Sequence, residues 1–503
     1  MPQELPGYYY DPEKNRYFLL KGPIPGSTRN SSAATASSSN IDKPNQVSEK
    51  LNIARKKGKT TAKLIHAREL YGKVLTFNKR KCNFQQEYVK IQVSKPTVWK
   101  YQNTDRIADG ALEQLHINLQ TLEGENEADV LVTGSMNGCL SLFEVGKVGQ
   151  HSDYGVKCMP DRVWPLTTEN QAECSKVQGD IWRPTGASAL LDGISCIKRI
   201  GKHSSPIQHV LIATLGSETL GGALYDLNLE TLDFNPRTSI LRRISLVAPL
   251  NCTIWTADCN SSGTQAIVGT NLGAALVNLE TGVQSWVCRS KSDVLSQQFD
   301  HSGNVVLCGL RNGAIVTVDV RQRQQGLSAR LPKHRVPYPS YKTQQSSRKN
   351  VKNLTHQCFE LKGNIDPSCT IFMPSSISSL VYLQSYDQYF LASSMDGLIK
   401  LYDHRMIQRG AVQLYEGHVN SHSRIQLGVD PSESFVISGG ENGNVCIWSI
   451  KSGQLLFGTK ISNSVPSTVC CAELHGLPDG RNNSWGTWLG SHEGLYFMGL
   501  NLS

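Results

Sequence analysis

The sequence predicts an all-β protein, a seven-bladed β-propeller preceded by a basic, partly disordered N-terminal arm with a short helix. A turn containing glycine, followed by an alternating apolar strand, recurs seven times along the chain. The 43 glycines and the aromatic content of only 7% suit many short strands joined by tight turns. The excess positive charge lies before the repeats, with 19 Lys/Arg against 7 Asp/Glu in residues 1–100.

The repeated turns set the number of blades. Their glycines are Gly138, Gly222, Gly273, Gly313, Gly397, Gly443 and Gly494. Four of the six spacings are between 40 and 51 residues, close to one propeller repeat, and the two spacings of 84 indicate one repeat plus an insertion. Asn-Gly or Asp-Gly occurs at four turns, which predicts type I′ hairpins. A single blade cannot bury both of its faces, so the ring must close.

The chain divides by composition into four regions. We assign residues 1–25 to an aromatic, proline-containing motif, 26–50 to a disordered Ser-rich linker and 51–85 to a basic helical arm. The propeller is assigned to residues 86–503, with insertions at about 147–190 and 322–370. In the arm, a helix is predicted from Thr60 or Thr61 up to Gly72. The alternation of Val89, Ile91 and Val93 predicts a strand that completes the last blade.

No apolar stretch is long enough for a membrane span or a secretory signal, which predicts an intracellular protein of the nucleus or cytoplasm without a membrane partner. The basic runs at Ala54–Lys59 and Asn78–Lys81 fit either nuclear import or contact with nucleic acid. The segment Arg321–Phe359 carries nine Lys/Arg and no Asp or Glu. It fits a reader of substrate signals, a modification site or a spacer.

The sequence lacks the motifs of the common enzyme classes. It has no phosphate-binding loop, no dinucleotide fingerprint, no H-E-x-x-H and no G-x-S-x-G. No Cys or His group has metal-ligand spacing, and the 14 cysteines include no C-x-x-C pair. We therefore expect no catalytic residue, no cofactor and no metal, and we interpret the cysteines as small buried hydrophobes.

The sixth repeat resembles a WD-repeat blade. Gly417 and His418 open it, Ser438 and Asn442 follow, and Trp448 ends it. The resemblance implies a structural hydrogen-bonded chain of His, Ser, Asp and Trp, in which Asn442 replaces the Asp. The other repeats are degenerate, and the Trp position is taken by other residues: Phe143, Val318 and Tyr402.

The fourth and fifth repeats end on an acid followed two residues later by arginine. Asp319 precedes Arg321, and the group Tyr402, Asp403 and Arg405 has the same order. The two arginines should leave the same face of adjacent blades. A guanidinium fork suits bidentate capture of a partner's carboxylates or carbonyls. Arginines that only pair with a neighbouring loop are the alternative interpretation.

This pair resembles the double W-D-x-R box of the substrate receptors of cullin-4 RING ubiquitin ligases, although Val318 departs from the aromatic position of the first box. The resemblance implies docking to the adaptor called damaged-DNA-binding protein one, and through it to cullin-4, with an unidentified protein substrate.

Two further segments are similar to this family. Glu4–Phe18 resembles the opening of one receptor. The family parallel implies that a helix at Lys63–Tyr71 occupies a groove of the adaptor, and a solvated basic arm is the alternative interpretation of this segment. The alternative function is a non-ligase nuclear WD-repeat scaffold that binds RNA through the basic arm and Arg321–Lys352. A nucleic-acid partner is the less favoured of the two.

Overall fold

The computed structural model describes residues 8–11, 16–19, 61–71, 74–77, 80–121, 124–146, 155–166, 180–184, 186–201, 209–217, 219–230, 240–321, 331–339, 358–473 and 485–499. The chain forms two compact units, residues 1–58 and 59–503. In the first unit, Tyr8–Asp11 pairs antiparallel with Arg16–Leu19 within the segment that resembles a receptor opening. The predicted linker at 26–50 lies outside the described residues.

The second unit contains the seven predicted blades, each an antiparallel sheet. The strands are given from the innermost outward. Blade 1 consists of Ala111–Thr121, Gly124–Gly134, Cys139–Gly146 and Ser188–Leu190, and blade 2 of Ile194–Ile200, His209–Thr214, Gly222–Asn228 and Ile244–Leu250. Blade 3 consists of Ile254–Cys259, Gln265–Thr270, Gly273–Asn278 and Gln284–Ser290.

Blades 4 to 7 follow the same order. Blade 4 consists of Val294–Phe299, Val305–Leu310, Ala314–Asp319 and Ile371–Phe372, and blade 5 of Ile377–Tyr382, Tyr389–Ser394, Ile399–Asp403 and Gln413–Tyr415. Blade 6 consists of Leu427–Val429, Phe435–Gly439, Asn444–Ser449 and Leu455–Lys460, and blade 7 of Pro466–Glu473, Trp485–Ser491, Gly494–Gly499 and Thr97–Tyr101. The prediction of a seven-bladed propeller is confirmed.

The ring is closed by a strand from the N-terminal side of the propeller. Thr97–Tyr101 pairs with Gly494–Gly499 and becomes the outermost strand of blade 7. The innermost strand of every blade contacts the innermost strands of both neighbours, including blades 7 and 1. The inner strands of a blade are largely buried on both sides, as in Phe435–Gly439, so apolar layers form between successive blades.

The predicted strand at Val89–Val93 is wrong, because these residues lie in a helix, α2, which spans Phe84–Val93. Asn83 caps it by accepting a hydrogen bond from the backbone N–H of Gln85. Val89 and Val93 are four residues apart, so on a helix they share the face that packs on the apolar layer of blades 6 and 7. The period-2 pattern of three residues was too short to distinguish the two structures.

The predicted helix of the arm is confirmed as α1, Thr61–Tyr71, which contacts α2. Leu64 is fully buried, and the guanidinium of Arg68 lies 4.8 Å from the ring centre of Phe84. Between the helices, Val74–Phe77 pairs with Arg80–Asn83. Ile65 and Leu70 of α1 are exposed.

The prediction of type I′ turns is also wrong. At the four Asn-Gly and Asp-Gly sites only the glycine has a positive φ, for example 87° at Gly138. The N–H of Gly138 donates to the carbonyl of Ser135, so the glycine is the fourth residue of the turn and precedes the strand. At three of the four sites the Asn or Asp instead accepts from the backbone two residues later, as in the 3.1 Å bond from Ala314 N to Asn312 Oδ1.

Both insertions add strands to the outer edges of blades. The first supplies Gly155–Cys158 and Asp180–Pro184, which extend blade 1, and Pro160–Trp164, which pairs with the closing strand of blade 7. The second supplies a hairpin, Lys333–Pro337 with Cys358–Gly363, which extends blade 3 and is called here the blade 3 hairpin. Three of the seven blades therefore have their outer edges covered by further strands.

Three short 3-10 helices complete the described elements: Ile240–Arg243, Pro367–Cys369 and His404–Arg409. No helix in the described ranges is long and apolar enough to cross a membrane.

Candidate functional site

The two predicted Asp–Arg pairs lie at equivalent positions of adjacent blades. Asp319 is the last residue of the third strand of blade 4, and Asp403 is the last residue of the third strand of blade 5. The innermost strands of these blades contact each other. Equivalent strands of neighbouring propeller blades run in the same direction, so both strand ends lie on the same face of the ring.

In blade 4, the carboxylate of Asp319 holds both the backbone and the side chain of Arg321. Its Oδ1 accepts from the backbone N–H of Arg321 at 2.9 Å and from Nε at 3.1 Å, and its Oδ2 accepts from Nη2 at 2.7 Å. The side chain of Arg321 is 64% exposed. A two-residue turn therefore fixes one edge of an exposed guanidinium.

In blade 5, Asp403 and Arg405 repeat this geometry. The distances are 2.9 Å to the backbone N–H, 3.1 Å to Nε and 3.0 Å to Nη2. Asp403 also caps the 3-10 helix His404–Arg409. The side chain of Arg405 is 57% exposed, whereas that of Asp403 is only 3% exposed.

The ion pairs shift the titration of both acids. The hydrogen bond from Arg321 is the main cause that lowers the pKa of Asp319, and Arg405 lowers the pKa of Asp403 in the same way. Both carboxylates are therefore charged at neutral pH. In each arginine the Nε–Nη2 edge of the guanidinium is occupied by the aspartate. Within the described part of the chain, Nη1 of neither arginine makes a hydrogen bond, so a partner has access to the Nη1 side.

The aromatic position of each box lies in the core rather than on the surface. Tyr402 is 3% exposed and stacks on Phe390, with ring centres 5.5 Å apart. Val318 is fully buried in the layer next to blade 3. Tyr402 was predicted as a docking residue; at this position it can act only by packing beneath the turn that carries Asp403.

Blades 2 and 3 have the same turn, but its third residue carries a negative rather than a positive charge. Their third strands end at Asn228 and Asn278, and each is followed by Leu and Glu. Asn228 Oδ1 accepts from the N–H of Glu230 at 2.7 Å, and Asn278 Oδ1 accepts from that of Glu280 at 3.0 Å. In blades 2 to 5 the turn therefore has a side-chain oxygen acceptor at its first residue, and it accepts either Glu or Arg two residues later.

Sequence reasoning missed this correspondence, although the repeated letters N-L-E-T at 228–231 and 278–281 carried the signal. Blade 6 has Ser449 and Lys451 at the equivalent positions, and Lys451 is exposed. The residue two positions after the end of the third strand is therefore acidic in blades 2 and 3 and basic in blades 4, 5 and 6, although among the described contacts Ser449 Oγ does not accept from the N–H of Lys451.

The predicted tetrad of blade 6 is only partly joined. His418 Nε2 lies 3.3 Å from Ser438 Oγ and 2.8 Å from the carbonyl of Gly439. The indole N–H of Trp448 donates to the carbonyl of Glu416 at 2.8 Å.

The fourth member of the tetrad bonds elsewhere. Asn442 Oδ1 accepts from the backbone of Asn444 within its own turn. The described geometry therefore includes a His–Ser contact beside the tryptophan, with His418 and Trp448 ring centres 6.2 Å apart. Burial is the main cause that lowers the pKa of His418, which favours the neutral imidazole.

Among the described residues, no group of three or more His, Cys, Asp or Glu side chains is arranged to hold a metal ion. The described cysteines make no disulfide, and most of them are buried or partly buried in strands.

The comparisons with known proteins agree with this fold. A family profile described as WD domain, G-beta repeat matches residues 410–449, in blades 5 and 6. The bovine protein called DDB1- and CUL4-associated factor 4 is 26% identical over 475 residues, which cover 90% of this chain and 78% of the relative.

Two human relatives match over shorter regions. The human DDB1- and CUL4-associated factor 4 is 28% identical over 33% of this chain and 26% of the relative. The human DDB1- and CUL4-associated factor 4-like protein 2 is 30% identical over 40% of this chain and 42% of the relative. The chain is thus a seven-bladed WD-repeat propeller similar, over 90% of its length, to a protein called DDB1- and CUL4-associated factor 4.

Proposed function

We propose that the chain is the substrate-recruiting receptor subunit of a cullin-4 RING ubiquitin ligase and that it docks to the adaptor DDB1 through Arg321 and Arg405. The relatives' names describe association with DDB1 and CUL4. One observation carries the residue assignment. Blades 2 and 3 form the same turn with Glu, so folding does not require arginine in blades 4 and 5.

The held arginines suit docking for an energetic reason. A flexible arginine loses about 0.5–1.5 kcal/mol of side-chain entropy when a partner immobilises it. Here the carboxylates of Asp319 and Asp403 already restrict the two forks in the free protein. The remaining donors face solvent on exposed side chains and can bond to carbonyls or carboxylates of the adaptor.

Two such contacts on adjacent blades fix the orientation of the ring as well as its attachment. The rest of the propeller then holds a protein substrate near the ubiquitin-charged enzyme, which raises the effective concentration of the substrate's lysines. This function requires no catalytic residue in the chain itself.

The test is affinity capture from cells that express the full chain, with DDB1 and cullin-4 measured in the captured material. We expect wild type to capture both proteins and the Arg321→Ala/Arg405→Ala variant to lose both. Glu230→Ala/Glu280→Ala changes the same turn in blades 2 and 3, and it should retain capture. Equal capture by wild type and the double arginine variant, with both folded, would refute the assignment.

A further inference from the structure

The blade 3 hairpin has two chemically different faces. One face carries Val336 and Leu361, which are 2% and 0% exposed and pack in the apolar layer between blades 3 and 4. Lys333, Arg335 and Lys362 alternate with these residues along the strands and therefore belong to the opposite face. Lys333 and Arg335 are 53% and 75% exposed. The hairpin is thus anchored by its apolar face and presents a basic surface to solvent.

Three cations on this surface form one row across three strands. Arg289, on the outer strand of blade 3, lies directly opposite Lys362, and Lys362 lies directly opposite Lys333. Directly opposed side chains are about 5 Å apart, and like charges in this arrangement are destabilising. The fold gains nothing from such a row, so the row requires another explanation.

The acid on this surface does not neutralise it. Glu360 pairs with Lys333 at 3.1 Å and with Arg335 at 3.6 Å. The Lys333 hydrogen bond is the main cause that lowers the pKa of Glu360, and Arg335 and Lys291 add to it. Three cations thus act on this one carboxylate, while Arg289 and Lys362 lie on the same surface. The segment that joins the two strands, residues 340–357, contains four Lys/Arg and no acid, so its composition does not offset the charge.

Two features argue against a protein strand as the occupant. The outer edge belongs to Lys333–Pro337, a short strand with Pro332 before it and Pro337 at its end, and lysine and proline on an edge oppose the addition of another strand. Among its described residues, the exposed face also lacks the apolar anchors typical of protein interfaces. Its aromatic residue, Trp286, lies under the guanidinium of Arg289, 4.8 Å from the ring centre.

We propose that this basic face of the blade 3 hairpin, with Arg289, binds the phosphate backbone of single-stranded nucleic acid. Lysines and arginines that line one surface are the residues by which a phosphate backbone is bound without sequence preference. The binding neutralises phosphates and must therefore weaken steeply with salt. None of these residues belongs to the two Asp–Arg pairs, so this site is independent of adaptor docking.

The test measures fluorescence anisotropy of a labelled oligouridylate of about 20 nucleotides with the full chain across a salt series. The variant is Arg289→Gln/Lys333→Gln/Lys362→Gln. The matched control, Lys95→Gln/Arg242→Gln/Lys460→Gln, removes the same charge from exposed sites elsewhere. We expect the hairpin variant to bind about tenfold more weakly and to lose about 2 from the slope of log affinity against log salt, at about 0.7 per phosphate contact. The control should keep the wild-type slope.

Three results would overturn the proposal. An equal loss of affinity in both variants would indicate that overall charge alone is responsible, and an unchanged affinity of the hairpin variant would mean that the hairpin does not bind. Competition by polyglutamate as effective as that by unlabelled oligouridylate would indicate an acidic protein partner. Misfolding is checked by thermal unfolding, where the hairpin variant should change little, because the removal of opposed like charges offsets the loss of the Lys333–Glu360 pair and of the contact between Arg289 and Trp286. It should also capture DDB1 as wild type does, which separates this test from that of the receptor role.

Discussion

The third strands of blades 2 and 3 end in the same way as those of blades 4 and 5, but the residue two positions after the strand end carries the opposite charge. In all four blades a side-chain oxygen accepts the N–H two residues later, at 2.7 to 3.0 Å. The residue that donates this N–H is Glu in the first pair of blades and Arg in the second. The comparison separates two properties of the turn. The first residue supplies the oxygen that accepts the N–H in all four blades, whereas the charge of the residue two positions later differs between blades and can therefore serve a partner.

The largest expected effect comes from making blades 4 and 5 like blades 2 and 3. Arg321→Glu/Arg405→Glu should weaken DDB1 binding by a factor of about 100 or more, because two exposed anchors are replaced by repelling charges. Thermal unfolding should be lowered only modestly, since the turn accepts Glu at positions 230 and 280, although there the first residue is Asn, whereas here each new Glu lies beside Asp319 or Asp403. Calorimetric titration with purified DDB1 measures the loss. A change below threefold would mean that the arginines are not the anchors.

A smaller effect is expected when the acids become Asn, as in blades 2 and 3. Asp319→Asn/Asp403→Asn keeps the oxygen that the turn needs but removes the ion pairs that restrict the arginines. We expect DDB1 binding to weaken by about three- to tenfold, because the two released side chains must then be ordered on binding at a cost in entropy. Asp403→Ala removes the turn acceptor and the helix cap, and should lower the free energy of unfolding by about 1 kcal/mol. Equal unfolding midpoints for the Asn and Ala variants would contradict the role assigned to the oxygen.

Lys451 extends the comparison to blade 6, where the equivalent residue is also basic. Lys451→Glu should reduce DDB1 affinity by only about threefold, mainly through slower association, because an exposed lysine at the edge of a surface steers more than it anchors. Surface plasmon resonance at low and at high salt measures this. An unchanged association rate at low salt would limit the docking surface to blades 4 and 5.

The smallest expected effect is on stability against pH. The folded-state pKa of Asp319 and Asp403 lies below the unfolded value of about 4, so the pairs stabilise the folded state above that pH and lose this contribution as pH falls through the lowered pKa. Wild type should unfold about 1 °C above the Asp319→Asn/Asp403→Asn variant at pH 7. The difference should shrink as the pH falls below about 4 and vanish once both acids are protonated in the folded state. A difference that stays constant as the pH falls until both acids are protonated would mean that the ion pairs do not contribute.

Periodicity in the sequence predicted the propeller, the number of blades and the helix α1, because every blade repeats one pattern over many residues. It could not distinguish a helix from a strand over the short run Val89–Val93. It also assigned the closing strand too early; the strand is Thr97–Tyr101. Short segments take their structure from the surface that they cover, and this surface is absent from the local sequence.

The site shows the same limit at the scale of single residues. The positions of Asp319 and Arg321 were predicted, but their bidentate contact was not, because it depends on the turn that follows the strand. The burial of Tyr402 likewise follows from the neighbouring strand that brings Phe390 against it. The docking role of these residues and the function of the hairpin remain proposals that rest on the comparison of turns and of charges.

The closing strand also determines when the protein can complete its fold on the ribosome. Thr97–Tyr101 is synthesised before the other strands of every blade, and its partner Gly494–Gly499 follows it by roughly 400 residues of synthesis. At about 5–20 residues per second, the strand waits roughly 20–80 s with an unpaired edge. During this interval blade 7 is absent, and the incomplete ring exposes apolar faces at both of its ends. A nascent chain of this architecture is therefore a candidate client for chaperones until Gly494–Gly499 emerges and pairs with Thr97–Tyr101.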